Sequence, residues 1–104
     1  RNLSKSNTVI EFYVNKNIEE NTMWLNRKKS KIINEFFFNQ PDEVIFRSLS
    51  ELIHNIGNKI SYARGKKISN LINNINSSKN FKKQTLSGCI FEKVNKSIII
   101  SRES

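Results

Sequence analysis

Residues 82–102 read Lys82-Lys83-Gln84-Thr85-Leu86-Ser87-Gly88-Cys89-Ile90-Phe91-Glu92-Lys93-Val94-Asn95-Lys96-Ser97-Ile98-Ile99-Ile100-Ser101-Arg102. Alternation with a period of two predicts a strand over residues 85–94. Leu86, Gly88, Ile90 and Val94 then fall on one face, and Ser87, Cys89, Phe91 and Lys93 on the other. Asn95-Lys96 supplies a tight turn, because Asn tolerates the positive φ that such turns require. Ile98, Ile99 and Ile100 make a β-branched return strand, closed by Arg102 and Glu103. A lone hairpin is marginal in water, so helices upstream must cover its apolar face.

The first of these helices is expected over residues 9–27. Thr8 caps it, Glu11 stands three residues on at capping-box spacing, and Ile10, Tyr13, Val14 and Ile18 form a stripe. Met23, Trp24 and Leu25 extend its apolar content. A basic break follows, Arg27-Lys28-Lys29-Ser30-Lys31, and Lys31-Ile32-Ile33-Asn34 is expected to form a third short strand. Phe36-Phe37-Phe38 reads as a short helix whose rings face the core, with one spilling toward a neighbouring domain. Pro41-Asp42-Glu43 is a strong helix start, and the helix it opens runs over residues 42–56. Ile45, Leu49, Leu52, Ile53 and Ile56 line one face of it, and Gly57 ends it. Burial of each such side chain contributes about 1.5–3 kcal/mol before entropy is subtracted, which makes this helix the spine of the core. A last helix runs from residue 61 or 62 to 75, with Ile68, Leu71, Ile72 and Ile75 on its apolar side, and Phe81 tucks back onto the core. The fold class is therefore α+β: one mostly helical domain over residues 1–104, with about four helices, a C-terminal hairpin and a possible third strand. The chain starts at Arg1 without a Met, as expected of a fragment of a longer protein.

The chain has 104 residues, 18 Lys and Arg against 9 Asp and Glu, and a formal net charge of +9. A polyanionic partner, most simply nucleic acid, is the direct physical reading. Coding bias toward Asn, Lys and Ile raises Lys over Arg with no partner involved, but it would raise Glu too, and acids are few. No apolar run approaches the roughly 20 residues of a membrane span. One cysteine and one histidine cannot build an internal disulfide or a four-ligand Cys/His zinc site. A reducing, cytoplasmic setting fits this composition.

Catalytic chemistry is hard to assemble from these residues. His54 sits inside the spine helix and reads as a boundary residue, Cys89 reads as packing, and no paired acids stand at metal-binding spacing. Gly57, Gly65 and Gly88 have no phosphate-loop spacing. Binding is easier to argue. Arg64, Lys66 and Lys67, then Lys79, Lys82 and Lys83, and finally Arg102 mark three basic points, which share a surface if the last helix packs on the hairpin. Cations in the first turns of a helix oppose its dipole, a placement suited to an incoming phosphate. Tyr62 beside Arg64 is placed to stack on a base.

Thr85-Leu86-Ser87-Gly88-Cys89, a short hairpin, then Ile100-Ser101-Arg102-Glu103 resembles the ending of the domain that follows the catalytic domain in tRNA(Ile)-lysidine synthetases. The upstream order resembles it as well: Lys31-Ile32-Ile33-Asn34, Phe36-Phe37-Phe38, Pro41-Asp42-Glu43, Ile56-Gly57 and Tyr62-Ala63-Arg64. The resemblance covers about residues 8–103. It departs at Ser87, where the family often has Gly, and in lacking the prolines usual around Tyr62. It implies a parent ligase that uses ATP, with Mg, to adenylate the wobble cytidine of the tRNA(Ile) bearing a CAU anticodon. Free lysine then displaces AMP. The adenylating Ser-Gly-Gly-x-Asp-Ser loop of that family has no counterpart here. The resemblance therefore implies a tRNA-positioning part with no catalytic residue and no cofactor of its own, with tRNA(Ile) and the catalytic domain of its own chain as partners. Tyr62, Arg64, Lys66, Lys67, Lys82, Lys83 and Arg102 are its candidate nucleic-acid contacts. Two rival expectations remain. One is a small basic DNA-binding helical module. The other is a non-catalytic protein-interaction domain that uses the Phe36 to Phe38 cluster.

Overall fold

A helix is favoured by an apolar stripe and by acids in its first turn, and the segment after Pro41 has both. In the computed structural model, which describes residues 2–26, 29–57, 65–77, 81 and 83–103 (backbone alone for 2–6), it forms the central element. The order is α1 (Asn2–Asn21), β1 (Thr22–Asn26), β2 (Ser30–Ile33), a 3-10 helix (Glu35–Asn39), α2 (Asp42–Gly57), α3 (Gly65–Ser77), β3 (Lys83–Leu86), β4 (Cys89–Val94) and β5 (Ser97–Arg102). The carbonyl of Pro41 accepts the first α2 bond from Ile45 N, at 3.0 Å. Asp42 and Glu43 occupy the first turn, where the dipole favours acids. Val44, Ile45, Ser48, Leu49, Leu52, Ile53, Ile56 and Gly57 are buried, and α2 packs against α1, α3, β4 and β5. The spine expected from the sequence is the spine observed.

The α+β class holds, but the balance within it changes. Among the described residues there are three α-helices and one short 3-10 helix where about four helices were expected, and a five-stranded antiparallel sheet where a C-terminal hairpin with a third short strand was expected. The strand order is β1-β2-β5-β4-β3. Lys31-Ile32-Ile33 does form a strand, β2, which pairs with β5 through Ile33 opposite Ile98 and Lys31 opposite Ile100.

Two further expectations are corrected. Helix α1 ends at Asn21, not near residue 27, and Met23, Trp24 and Leu25 belong to β1. The helix stops there because Asn34 N donates to Asn21 O at 3.0 Å and Thr22 Oγ1 donates to Ile18 O at 2.6 Å, which satisfies its end, while Thr22, Met23 and Trp24 pair with Ile33, Ile32 and Lys31 of β2. Thr8 consequently lies inside α1 and does not cap it. The second correction concerns residues 85–94, which are two strands. Ser87 and Gly88 reverse the chain, with φ of 50° and 81°. Two consecutive positive φ values match the tight primed turn that suits strand twist. Leu86 therefore lies directly opposite Cys89 and shares its face. The face turned to the helices carries Leu86, Cys89, Phe91, Ile98, Ile100 and Ile33, all buried, and Val94 is exposed.

The aromatic triplet forms the expected short helix. Asn34 caps the 3-10 helix through its side chain, accepting from Phe36 N and Phe37 N. Phe37 is fully buried, Phe38 packs at the core margin 5.1 Å from it, and Phe36 points outward. Phe81 also packs on the core margin. The expected helix start at residue 61 or 62 lies outside the described residues.

Candidate nucleic-acid interface

The terminal motif is the first element to place. Helix α2 ends with carbonyls that have no partner within the helix. Arg102 Nε donates to Ile56 O at 2.9 Å, and Cys89 Sγ donates to Ile53 O at 3.4 Å. Glu103 N donates to Gly88 O at 2.8 Å, which ties the end of β5 to the Ser87-Gly88 turn. The same turn presses on Gly57: a Cβ there would collide with the Ser87 carbonyl oxygen and stand 3.1 Å from Cys89 Sγ. Gly57 is therefore required by close approach of the turn. Gly57, Gly88, Cys89, Arg102 and Glu103 form one lock between the carboxyl end of α2 and the sheet.

Cys89 has no access to solvent, and burial, the largest cause, pushes its thiol up to about 12, with the Arg102 charge pulling the other way. A group whose folded value is raised favours its protonated form in the fold. Its stabilising contribution is complete below the ordinary value of 9.0 and is lost as pH climbs from 9.0 toward about 12. We expect a thiol reagent to leave Cys89 unmodified at neutral pH until the chain unfolds. We also expect the stability gap between wild type and Cys89→Ala to narrow across that alkaline range. Rapid labelling of the native protein would contradict the burial.

The structure distributes the sequence-derived cations over more than one place. Lys66 and Lys67 are exposed in the first turn of α3, which holds no acid. Asn74 of the same helix, through Nδ2, donates to Gln84 Oε1 of β3 at 3.2 Å. Eight residues, about 12 Å of helical rise, separate Lys66 from that contact. Lys83 sits beyond it on the outer strand β3, opposite Glu92 on β4. A lysine there also discourages edge-to-edge pairing. Arg102 is exposed but commits its Nε to α2. Tyr62, Arg64 and Lys82, and also Lys79, lie outside the described residues.

Two cations that the sequence reading assigned only to a strand face and a turn come together instead. Lys93 and Lys96 line a cleft of about 450 Å³ between the β4–β5 turn, the carboxyl end of α3 and the 3-10 helix. Asn39, Asn76 and Asn95 supply amide groups, Phe38 and Ile75 form part of the wall, and Glu35 is the one acid. Ammonium and amide donors on a concave surface are the groups that hold phosphate and sugar oxygens. Among the described residues the only ion pair is Arg47 Nε to Glu43 Oε2, at 2.7 Å, so these lysines keep their charge available.

Among the described residues no group of three or more His, Cys, Asp or Glu side chains stands together to hold a metal ion. No described helix is long and apolar enough to cross a membrane. His54 is half-buried in α2. No family model, curated protein or solved structure matches the chain.

Proposed function

We propose that this domain recognises tRNA as part of a cytoplasmic tRNA(Ile)-lysidine synthetase. ATP, Mg and lysine belong to the catalytic domain of the parent enzyme, and this part positions the tRNA without touching the reacting atoms. The observation that carries the reading is the lock at the end of α2. The residues that resemble the family ending, Gly88, Cys89, Arg102 and Glu103, are the ones that close turn, strand and helix together. The amide-rich Lys93–Lys96 cleft and the net charge of +9 support a polyanionic partner. The exposed Val9, Phe12 and Tyr13 on α1 fit a contact with the catalytic domain of the same chain.

The test is binding to a tRNA(Ile) transcript with a CAU anticodon across a salt series, beside duplex DNA of equal length. Phosphate contacts release counterions, so affinity for tRNA is expected to fall by several decades as salt rises. Lys93→Ala with Lys96→Ala is expected to flatten the logarithmic slope by about 2, one per lysine. Equal or tighter binding to duplex DNA would turn the assignment to the DNA module. Absence of salt-dependent binding to either would leave the protein-interaction reading, with Phe36 and the α1 face as its surface.

A further inference from the structure

A second cleft, of about 380 Å³, opens between α1, the β1–β2 hairpin and α2. Its volume lies in the range of small-molecule sites. Trp24 and Lys31 face each other across the hairpin, with Nζ 4.6 Å from the centre of the indole ring. Nζ also donates to Thr22 Oγ1 at 3.3 Å. An ammonium has three donors, so Lys31, which lines the cleft, keeps hydrogen-bonding capacity. Burial lowers the proton affinity of Lys31, and the carboxylate of Glu51 on α2 raises it. Glu51 is thus close enough to be felt, yet no ion pair joins the two, since the only one among the described residues is Arg47–Glu43. Cation and carboxylate line one space without neutralising each other.

That arrangement selects the chemistry of a ligand. An anion would meet Glu51 and Glu19, and a cation would meet Lys31. A neutral planar group with acceptors on one edge and donors beside them would bridge the gap. Guanine carries O6 and N7 acceptors on one edge, and its N1–H and N2 amino donors follow O6 along the neighbouring edge. Its ring N1–H lies beside that amino group, so a carboxylate can accept from both at once. Adenine and cytosine offer a carboxylate only the amino group, and uracil only one ring N–H. Trp24 is 46% exposed and supplies an aromatic surface of the kind on which unpaired RNA bases stack.

We propose that this cleft takes an unpaired guanine, stacked on Trp24, with O6 or N7 on Lys31 and the N1 and N2 donors on Glu51. That the guanine comes from an RNA chain rests on the tRNA reading above; the base site itself does not.

Trp24 is the only tryptophan in the chain, so its fluorescence reports on this cleft alone. GMP is titrated beside AMP, CMP and UMP, which share its phosphate and ribose. The expected result is saturable quenching by GMP at concentrations about tenfold lower than for the others, the discrimination a good two-point contact gives. Glu51→Gln, on an exposed position, is expected to weaken GMP about tenfold and leave AMP unchanged. No saturable quenching, equal quenching by all four, or an indifferent Glu51→Gln variant would each overturn the guanine site. An oligouridine with one central guanine then identifies the source. Displacement of GMP at lower concentration than GMP itself supports RNA, and displacement no better than GMP overturns the link to RNA. Salt-dependent tRNA binding through Lys93 and Lys96 is read without Trp24. Its loss with quenching retained sinks the tRNA reading alone, and the converse sinks the guanine site alone.

Discussion

Phe91→Ala is expected to cost about 3–5 kcal/mol and to shift the urea midpoint by a large part of its value. Phe91 is fully buried in the middle of β4, with Gln84 opposite it on one side and Ile100 on the other. The substitution removes a whole ring from the layer between sheet and helices, and close-packed neighbours relax only partly into the space. Domains of this size hold about 5–15 kcal/mol in total, so a protein at the low end would be left close to unfolded. Phe91→Leu keeps much of the volume and should lose clearly less. Urea unfolding followed by Trp24 fluorescence and by circular dichroism checks both variants. A loss under about 1 kcal/mol would mean that Phe91 is not the centre of the core.

Asn17→Ala is expected to destabilise by about 1–3 kcal/mol although it removes a polar side chain. Asn17 is buried in α1, and its Nδ2 donates to Phe37 O at 3.3 Å and to Ser48 Oγ at 3.2 Å. Its Oδ1 accepts from Asn21 Nδ2 at 2.8 Å. The side chain thus joins α1, the 3-10 helix and α2. Alanine would strand the Phe37 carbonyl, whereas the Ser48 hydroxyl can turn back to a carbonyl of its own helix. The double variant Asn17→Ala/Ser48→Ala should cost less than the two separate losses added, because both act on one network. Strict additivity, measured by chemical denaturation, would show that the Asn17–Ser48 bond contributes nothing.

The parts of the fold that were legible in the sequence are those in which local signals agree. Pro41-Asp42-Glu43 and the repeat through Ile56 point to one helix, and its bounds differ from the expected ones by a single residue. Lys31-Ile32-Ile33 and Ile98-Ile99-Ile100 were legible as strands through their β-branched runs. Ser87-Gly88 was hidden because alternation runs on through a two-residue turn, and nothing but the Gly marks the reversal. Met23-Trp24-Leu25 was hidden because an apolar run directly after an amphipathic helix looks like more helix. Lys31, read as the end of a basic break, lies in β2 opposite Trp24.

The candidate sites were less legible, since they depend on register. Lys93 and Lys96 lie on a strand and its turn, and only the carboxyl end of α3 and the 3-10 helix make a cleft around them. Trp24 and Lys31 meet because β1 and β2 pair in one register, with a bulge between Trp24 and Asn26. Seven residues of sequence separation carry no sign of that. Arg102 was read as a phosphate contact from its charge, and its bond to Ile56 O, 46 residues earlier, needs the whole fold to appear.

The position of β5 has a consequence for synthesis on the ribosome. Of the five described strands it is the last to be made, yet it lies in the middle of the sheet and joins the β1–β2 hairpin to the β3–β4 hairpin. From Ile33 at the end of β2 to Ser97 at the start of β5 is 97 − 33 = 64 residues. At about 5–20 residues per second, the nascent β1–β2 hairpin waits about 3–13 seconds for its inner neighbour. Two-stranded ribbons are marginal alone, so the growing chain holds helices and two unjoined ribbons until β5 emerges. The sheet then closes in one late event, and a chain that stalls before Ser97 would present the quality-control machinery with open strand edges and an uncovered apolar layer.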